Sequence, residues 1–207
     1  MSVVDTMFLV GPCPFREIPT GVDELERLRG RANLEMAIAT GFRSLFYFDP
    51  IDGLKRDLDE YEAASDWLRF YALINPEFPK LEEQVEHADR DTRIVGIRLV
   101  PGIHRYSLLS DHVRTTIQAA TQACLPVVIS GRIFDDRVAP RSIDQVPVNM
   151  GDLVQLLEQA SNTTFVLSMF YFGELKGLDV DWKMLPNVFL DLGCSKPTSA
   201  SFDELPS

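Results

Sequence analysis

His104, Asp135 and Asp191 are the side chains best suited to moving protons in this sequence. An imidazole titrates near neutrality, and a carboxylate can be tuned by burial or by neighbouring charge. His104 and Tyr106 lie just past one apolar run, in a His-x-Tyr spacing. Arg132, Asp135, Asp136 and Arg137 cluster just past another, and Asp191 falls late in a third. Arg98 sits among Ile97, Leu99 and Val100. If its face of the strand is interior, the guanidinium can take a carboxylate through two parallel hydrogen bonds; otherwise it extends past a helix to water. Asp49 and Asn75 follow two further runs. The expected roles are therefore acid–base chemistry for His104, Asp135 and Asp191. Substrate binding falls to Arg98, Tyr106, Arg132, Asp136, Arg137, Asp49 and Asn75. Each has a structural counterpart: a backbone-holding histidine, an ion-pair network on a loop, an aspartate paired with an arginine of a neighbouring strand. His87 and His112 fall in helical patterns and are expected on helix surfaces.

What must position these groups is a series of strands. Apolar runs of strand length recur at residues 6–11, 44–48, 70–74, 94–100, 127–133, 165–170 and 188–192. Continuous apolar runs mark strands covered on both faces, as in parallel sheets. Between them lie stripes stepping by three or four residues. One is Leu25, Leu28, Ala32, Met36 and Ala39; the next is Leu54, Leu58, Tyr61 and Leu68. Leu81, Val85 and Ala88 follow, then Val113, Ile117, Ala120 and Cys124, then Leu153, Leu156, Leu157 and Ala160. Each predicts a helix with one apolar face. Thr20 three residues before Asp23, Pro79, and Asn149 three before Asp152 read as helix starts. Gly173 and Gly177 interrupt the stripe between the last two strands.

Strand–helix alternation of this kind builds βαβ units, which wind into a barrel or an open doubly wound sheet. No GxGxxG follows the first run, which disfavours a dinucleotide fold. The expected fold is α/β, of the (β/α)8 TIM-barrel type, in a single domain over residues 1–207. Residues 134–149 read as a long polar loop at the catalytic end.

Composition narrows the partners. The chain has 207 residues, 45% apolar and 25% charged, with a net charge of −11. That balance repels phosphate backbones and anionic membrane surfaces, so neither nucleic acid nor membrane is expected. No apolar run reaches the ~20 residues of a membrane span, and the N-terminus reads as a strand rather than a leader, which points to the cytoplasm. Cys13, Cys124 and Cys194 are too few and too scattered for a disulfide framework or a zinc knuckle. Cys124 is expected in the core.

Residues 4–16 (VDTMFLVGPCPFR), 95–108 (VGIRLVPGIHRYSL), 125–130 (LPVVIS) and 187–191 (NVFLD) resemble, in this order, four segments of the amidohydrolase-related hydrolases. The resemblance implies a metal-dependent hydrolase barrel. Yet where that family keeps a His-x-His pair on the first strand this chain has Met7 and Leu9. Where it ends the fifth and sixth strands with His, this chain has Ser130 and Ser168 or Met169. Thioether, alkyl and neutral hydroxyl groups do not make a zinc site, so no metal and no other cofactor is expected. The family's eighth strand is also missing, leaving about seven βα units, an incomplete barrel. Either the chain is part of a longer one or a second copy covers the open edge. The activity expected is hydrolysis or decarboxylation of a small polar or carboxylate-bearing substrate by acid–base chemistry. The alternative is a catalytically inactive barrel that binds a small molecule.

Overall fold

A computed structural model describes residues 3–47, 49–137 and 139–191. Cys194 and the C-terminal residues 192–207, where the eighth strand was expected to be missing, lie outside the described residues. The chain divides into two compact units, Met1–Arg98 and Leu99–Ser207.

In the first unit, strands β1 (Val3–Val10), β2 (Leu34–Gly41), β3 (Leu68–Leu73) and β4 (Ile94–Leu99) pair in sequence order, all parallel. Registers such as Phe8 to Ala39, Ala39 to Phe70 and Leu73 to Arg98 bring residues far apart in sequence side by side. Leu68, Phe70, Leu73 and Ile97 are buried, as expected of strands covered on both faces. Helices α1 (Val22–Ala32), α2 (Phe42–Phe46), α3 (Pro50–Glu60) and α4 (Leu81–Arg90) connect them. The α3 stripe of Leu54 and Leu58 is buried, and Trp67 anchors α1 by donating its indole N–H to Glu26 Oε1 at 2.7 Å.

Two expectations change here. The helix predicted through Met36 and Ala39 ends at Ala32, because Asn33 turns left-handed (φ 52°) and caps it. Residues 34–41 then form β2. Short runs of Ala, Met and Ile fit either period, and the turn at Asn33 decides between them. Residues 44–48, predicted as a strand, fall instead mainly in α2, which follows Gly41 directly. Asp49 therefore does not end a strand. It is the N-cap of α3, accepting from Ile51 N at 2.9 Å, with Pro50 in the first turn. At smaller scale, α1 starts after Gly21 rather than Thr20, and Pro79 precedes α4.

The second unit contains β5 (Val127–Ser130), β6 (Phe165–Ser168) and β7 (Val188–Leu190), again parallel, with Ser130 opposite Ser168 and Leu167 opposite Leu190. Helices α5 (Pro101–His104), α6 (Asp111–Gln122), α7 (Met150–Gln159) and α8 (Phe172–Lys176) surround them. Val113, Ile117, Leu153 and Leu157 turn inward from α6 and α7. Ser110 caps α6, and Asn149 caps α7 as the sequence predicts, accepting from Gly151 N and Asp152 N. Cys124 is exposed rather than in the core. Helix α6 stops at Gln122, and Cys124 takes up a left-handed φ of 54°, off the apolar stripe.

Seven parallel strands alternating with helices among the described residues are the pattern of an incomplete (β/α)8 barrel. No helix of the described residues is long and apolar enough to cross a membrane.

Candidate functional site

In the first unit Arg98 is fully buried, so its side chain does not run out to water. Its Nη1 donates to Thr40 Oγ1 at 3.0 Å and its Nη2 to Met7 Sδ, so the guanidinium reaches from β4 to β1 and β2. Its Cζ stands 5.8 Å from the centre of the Tyr71 ring. Nothing in the sequence singles out Thr40; its part emerges only from the β2–β3 and β3–β4 registers. Met7, at a place where the resembling family holds a histidine, thus faces a permanent cation. Asn75 lies two residues past β3 and is half-buried. Its backbone is held by Gln84, which donates from Nε2 to Asn75 O and accepts from Asn75 N, while its own Oδ1 accepts from Glu77 N. That geometry secures a turn.

At the ends of β1 and β2 lies a buried carboxylate that sequence reasoning passed over. Asp57, on α3, is 0% exposed and takes Arg43 Nη1 on Oδ1 at 2.5 Å. Burial pushes its pKa up to about 6, against the pull of Arg43. Room for it comes from Gly41: a Cβ there would stand 1.6 Å from Asp57 Oδ2. Gly11, at φ 84°, closes β1 and donates its N–H to Tyr61 Oη at 3.0 Å. The i, i+3 spacing of Asp57 and Glu60 was the available signal.

In the second unit, the C-terminal strand ends carry hydroxyl and carboxyl groups. Ser168 Oγ donates to Asp191 Oδ2 at 2.7 Å, and Asp191 N donates to Leu167 O at 2.9 Å. Ser130 and Ser168, both 1% exposed, are register partners. Asp191 is thus brought to the place where the family's sixth-strand histidine would be, where it accepts from the Ser168 hydroxyl.

Arg132 is 6% exposed and held on several sides. Its Nη1 donates to Met169 O at 2.7 Å and to Glu174 Oε2 at 3.0 Å, and its Nη2 to Glu174 Oε1 at 2.6 Å. Its Cζ lies 3.7 Å over the Tyr171 ring. Burial works against the cation, but Glu174 more than offsets this, and its pKa is raised. Tyr171 Oη reaches Asp135 Oδ1 at 3.3 Å and Asp136 Oδ2 at 3.4 Å. Arg137 clasps Asp135 with Nε and Nη2 and holds its carboxyl well below the usual carboxylate range. Gln145 ties the long loop back, accepting from Ile133 N and donating to Phe134 O. Glu174, Tyr171 and Gln145 were not foreseen. Tyr171-x-x-Glu174 after a strand has the spacing of a capping box, the one usable signal, and Glu174 Oε2 indeed accepts from Tyr171 N at 2.8 Å.

His104 ends α5 half-buried, its ring 6.4 Å from that of buried Tyr106. Arg132, Asp135 and Asp136 come together around Tyr171, and Arg137 holds Asp135; His104 stands beside Tyr106, and Asp191 beside Ser168.

Among the described residues the donor set does not fit the metal that the barrel family implies. Among the described residues no three His, Cys, Asp or Glu side chains gather as a cation would need, and Met7 stands against the Arg98 cation.

No family model and no curated protein matches the sequence. Solved structures do match the fold. An amidohydrolase II aligns with a TM-score of 0.55 at 12% identity, over 95% of this chain and 84% of its own. IDCase from Metarhizium anisopliae aligns at 0.59 and 12%, over 81% of this chain and 65% of that one. The 5-carboxyvanillate decarboxylase LigW from Sphingomonas paucimobilis aligns at 0.56 and 12%, over 81% and 67%. The chain spans less than two thirds of the first of the matched structures, 59% and 65% of their lengths. At these identities the matches show a shared fold, the barrel architecture that the sequence resemblance implied.

Proposed function

We propose that this chain is a divergent amidohydrolase-like enzyme, a hydrolase or decarboxylase of small polar or carboxylate-bearing molecules, that works by acid–base chemistry. The observation that carries the reading is the Ser168–Asp191 hydrogen bond of 2.7 Å at the C-terminal ends of β6 and β7, the end at which barrels of this type do chemistry. Asp191 is the base in this proposal, and the Ser168 hydroxyl orients it. Asp135, kept ionised and weakly basic by Arg137, is the poorer base and serves instead to set the loop; His104 is retained as a candidate acid. Tyr106, Arg132, Asp136 and Arg137 frame the substrate side of this unit. Arg98 is proposed separately as a carboxylate ligand, and Asp49 and Asn75 as structural supports of their own loops. Neither metal nor other cofactor enters the scheme. A metal lowers the pKa of bound water to roughly 7. A side-chain base has no such help, so the substrates favoured are activated ones, such as lactones or electron-poor aromatic acids.

The test is turnover of a panel of lactones and aromatic carboxylates by wild type and by Asp191→Asn, Ser168→Ala and His104→Ala. Asp191→Asn is expected to lose at least a hundredfold in kcat, and Ser168→Ala less. Equal rates in wild type and Asp191→Asn would remove Asp191 from the mechanism. The second reading is a binding barrel without activity, favoured by the way Arg132 and Asp135 are already occupied by protein partners. Under it, carboxylates raise the melting temperature with no turnover. A second copy of the chain is proposed as the partner, and light scattering decides it.

A further inference from the structure

Arg43 lies 16% exposed between two carboxylates of α3, with Asp57 on Nη1 and Glu60 on Nη2, each at 2.5 Å. Its outer edge opens on a cleft of about 350 Å³ in the first unit, lined also by Cys13, Arg16, Glu17, Thr20, Gly21 and Glu60. None of these residues takes part in the proposed chemistry. The cleft is therefore lined by two arginines and the start of α1, whose N-cap Gly21 has no side chain to satisfy its first N–H groups, while the Thr20 hydroxyl already donates to Gly11 O at 3.2 Å.

The opposing charges are unequal in weight. Glu17 and Arg16 are both exposed and Glu60 is 41% exposed, so water and salt screen all three and leave Arg43 and Asp57 as the charges that weigh most. Asp23 and Glu24, in the first turn of α1, also add negative charge, and Glu24 is partly neutralised by Arg27. Asp57 is dry, and its charge acts on Arg43 at close range without solvent between them. The groups facing Asp57 are Arg43 from α2, with Glu60 and Tyr61 from its own side; Gly11 of the β1 end and Gly41 of β2 bring backbone. Asp57 Oδ2 has no hydrogen-bond partner among the described residues, so one oxygen is available to carry a proton while Oδ1 keeps Arg43.

We propose that this cleft is a binding site for a small oxyanion, and that occupancy is coupled to proton uptake by Asp57. An anion beside Arg43 competes with the Asp57 charge for the same guanidinium. Protonating Asp57 removes the competitor, and by linkage the bound anion favours the protonated carboxyl. Because burial already raises the Asp57 pKa to about 6, the coupling falls in a mild pH range.

Sulfate is the probe, since its charge is constant across that range. Calorimetric titration at pH 5.5 and 7.5, at equal ionic strength with chloride, should give a dissociation constant about tenfold or more lower at pH 5.5. Asp57→Asn should bind sulfate equally at both values, and Arg16→Gln should weaken binding at pH 5.5. Affinity in wild type that does not change with pH overturns the proposal. So does a pH effect that persists in Asp57→Asn, which would belong to the charge of the whole chain. Should Asp57→Asn not fold, carbon-13 titration of the Asp57 carboxyl in wild type decides: sulfate should move its midpoint upward, and an unmoved midpoint refutes the coupling.

Discussion

At the scale of single residues, Asp57 and Gly41 are the most exacting pair. The carboxyl has an ordinary pKa of 3.8 and about 6 when folded. The folded state therefore holds the proton more tightly. The stability this contributes is complete below the unfolded value and is lost as pH rises through about 6. Between pH 5 and 7.5 the loss is about 1–2 kcal/mol. Urea unfolding should show that fall in wild type and not in Asp57→Asn. Gly41→Ala places a methyl 1.6 Å from Asp57 Oδ2, and is expected to cost about 3 kcal/mol. Asp57→Ala in the same chain should recover part of that cost, and strictly additive losses would show that the two sites do not meet. Legibility in the sequence was uneven at this scale. Arg98, Arg132 and Asp191 stood out because a charge in an apolar run must be held by something. Asp57 did not, since a carboxylate on an amphipathic helix looks like any solvated one until the strand ends close over it.

At the scale of elements, the strands with uninterrupted β-branched and aromatic runs were readable, and β2 was not. Ala, Met and Thr give β2 no period of its own, and its boundary depends on Asn33 adopting a left-handed backbone, a choice the local sequence permits but does not impose. Helix starts with a side-chain cap were readable for the opposite reason. Asn149 satisfies two amide groups of α7, so Asn149→Ala should lower stability by about 1 kcal/mol, measured by thermal or urea unfolding, whereas Asn149→Asp should be nearly neutral.

At the scale of the whole molecule, charge and chain pattern speak most clearly. A net charge of −11 spread along the sequence argues against polyanion partners. No retention on heparin and no shift of duplex DNA are expected at ionic strengths near 0.1 M. The barrel class was legible because alternation of buried strands and one-sided helices is a property of the entire chain and survives errors in any one element.

Glu174 performs two tasks with one carboxylate: it grips the Arg132 fork and it accepts the amide of Tyr171 at the entrance to α8. Opening either bond loosens the other, so the stretch after β5 and the first turn of α8 form one breathing unit. Their amides should therefore exchange with deuterium at a shared rate, and Glu174→Gln should accelerate both together while leaving the amides of α6 unchanged.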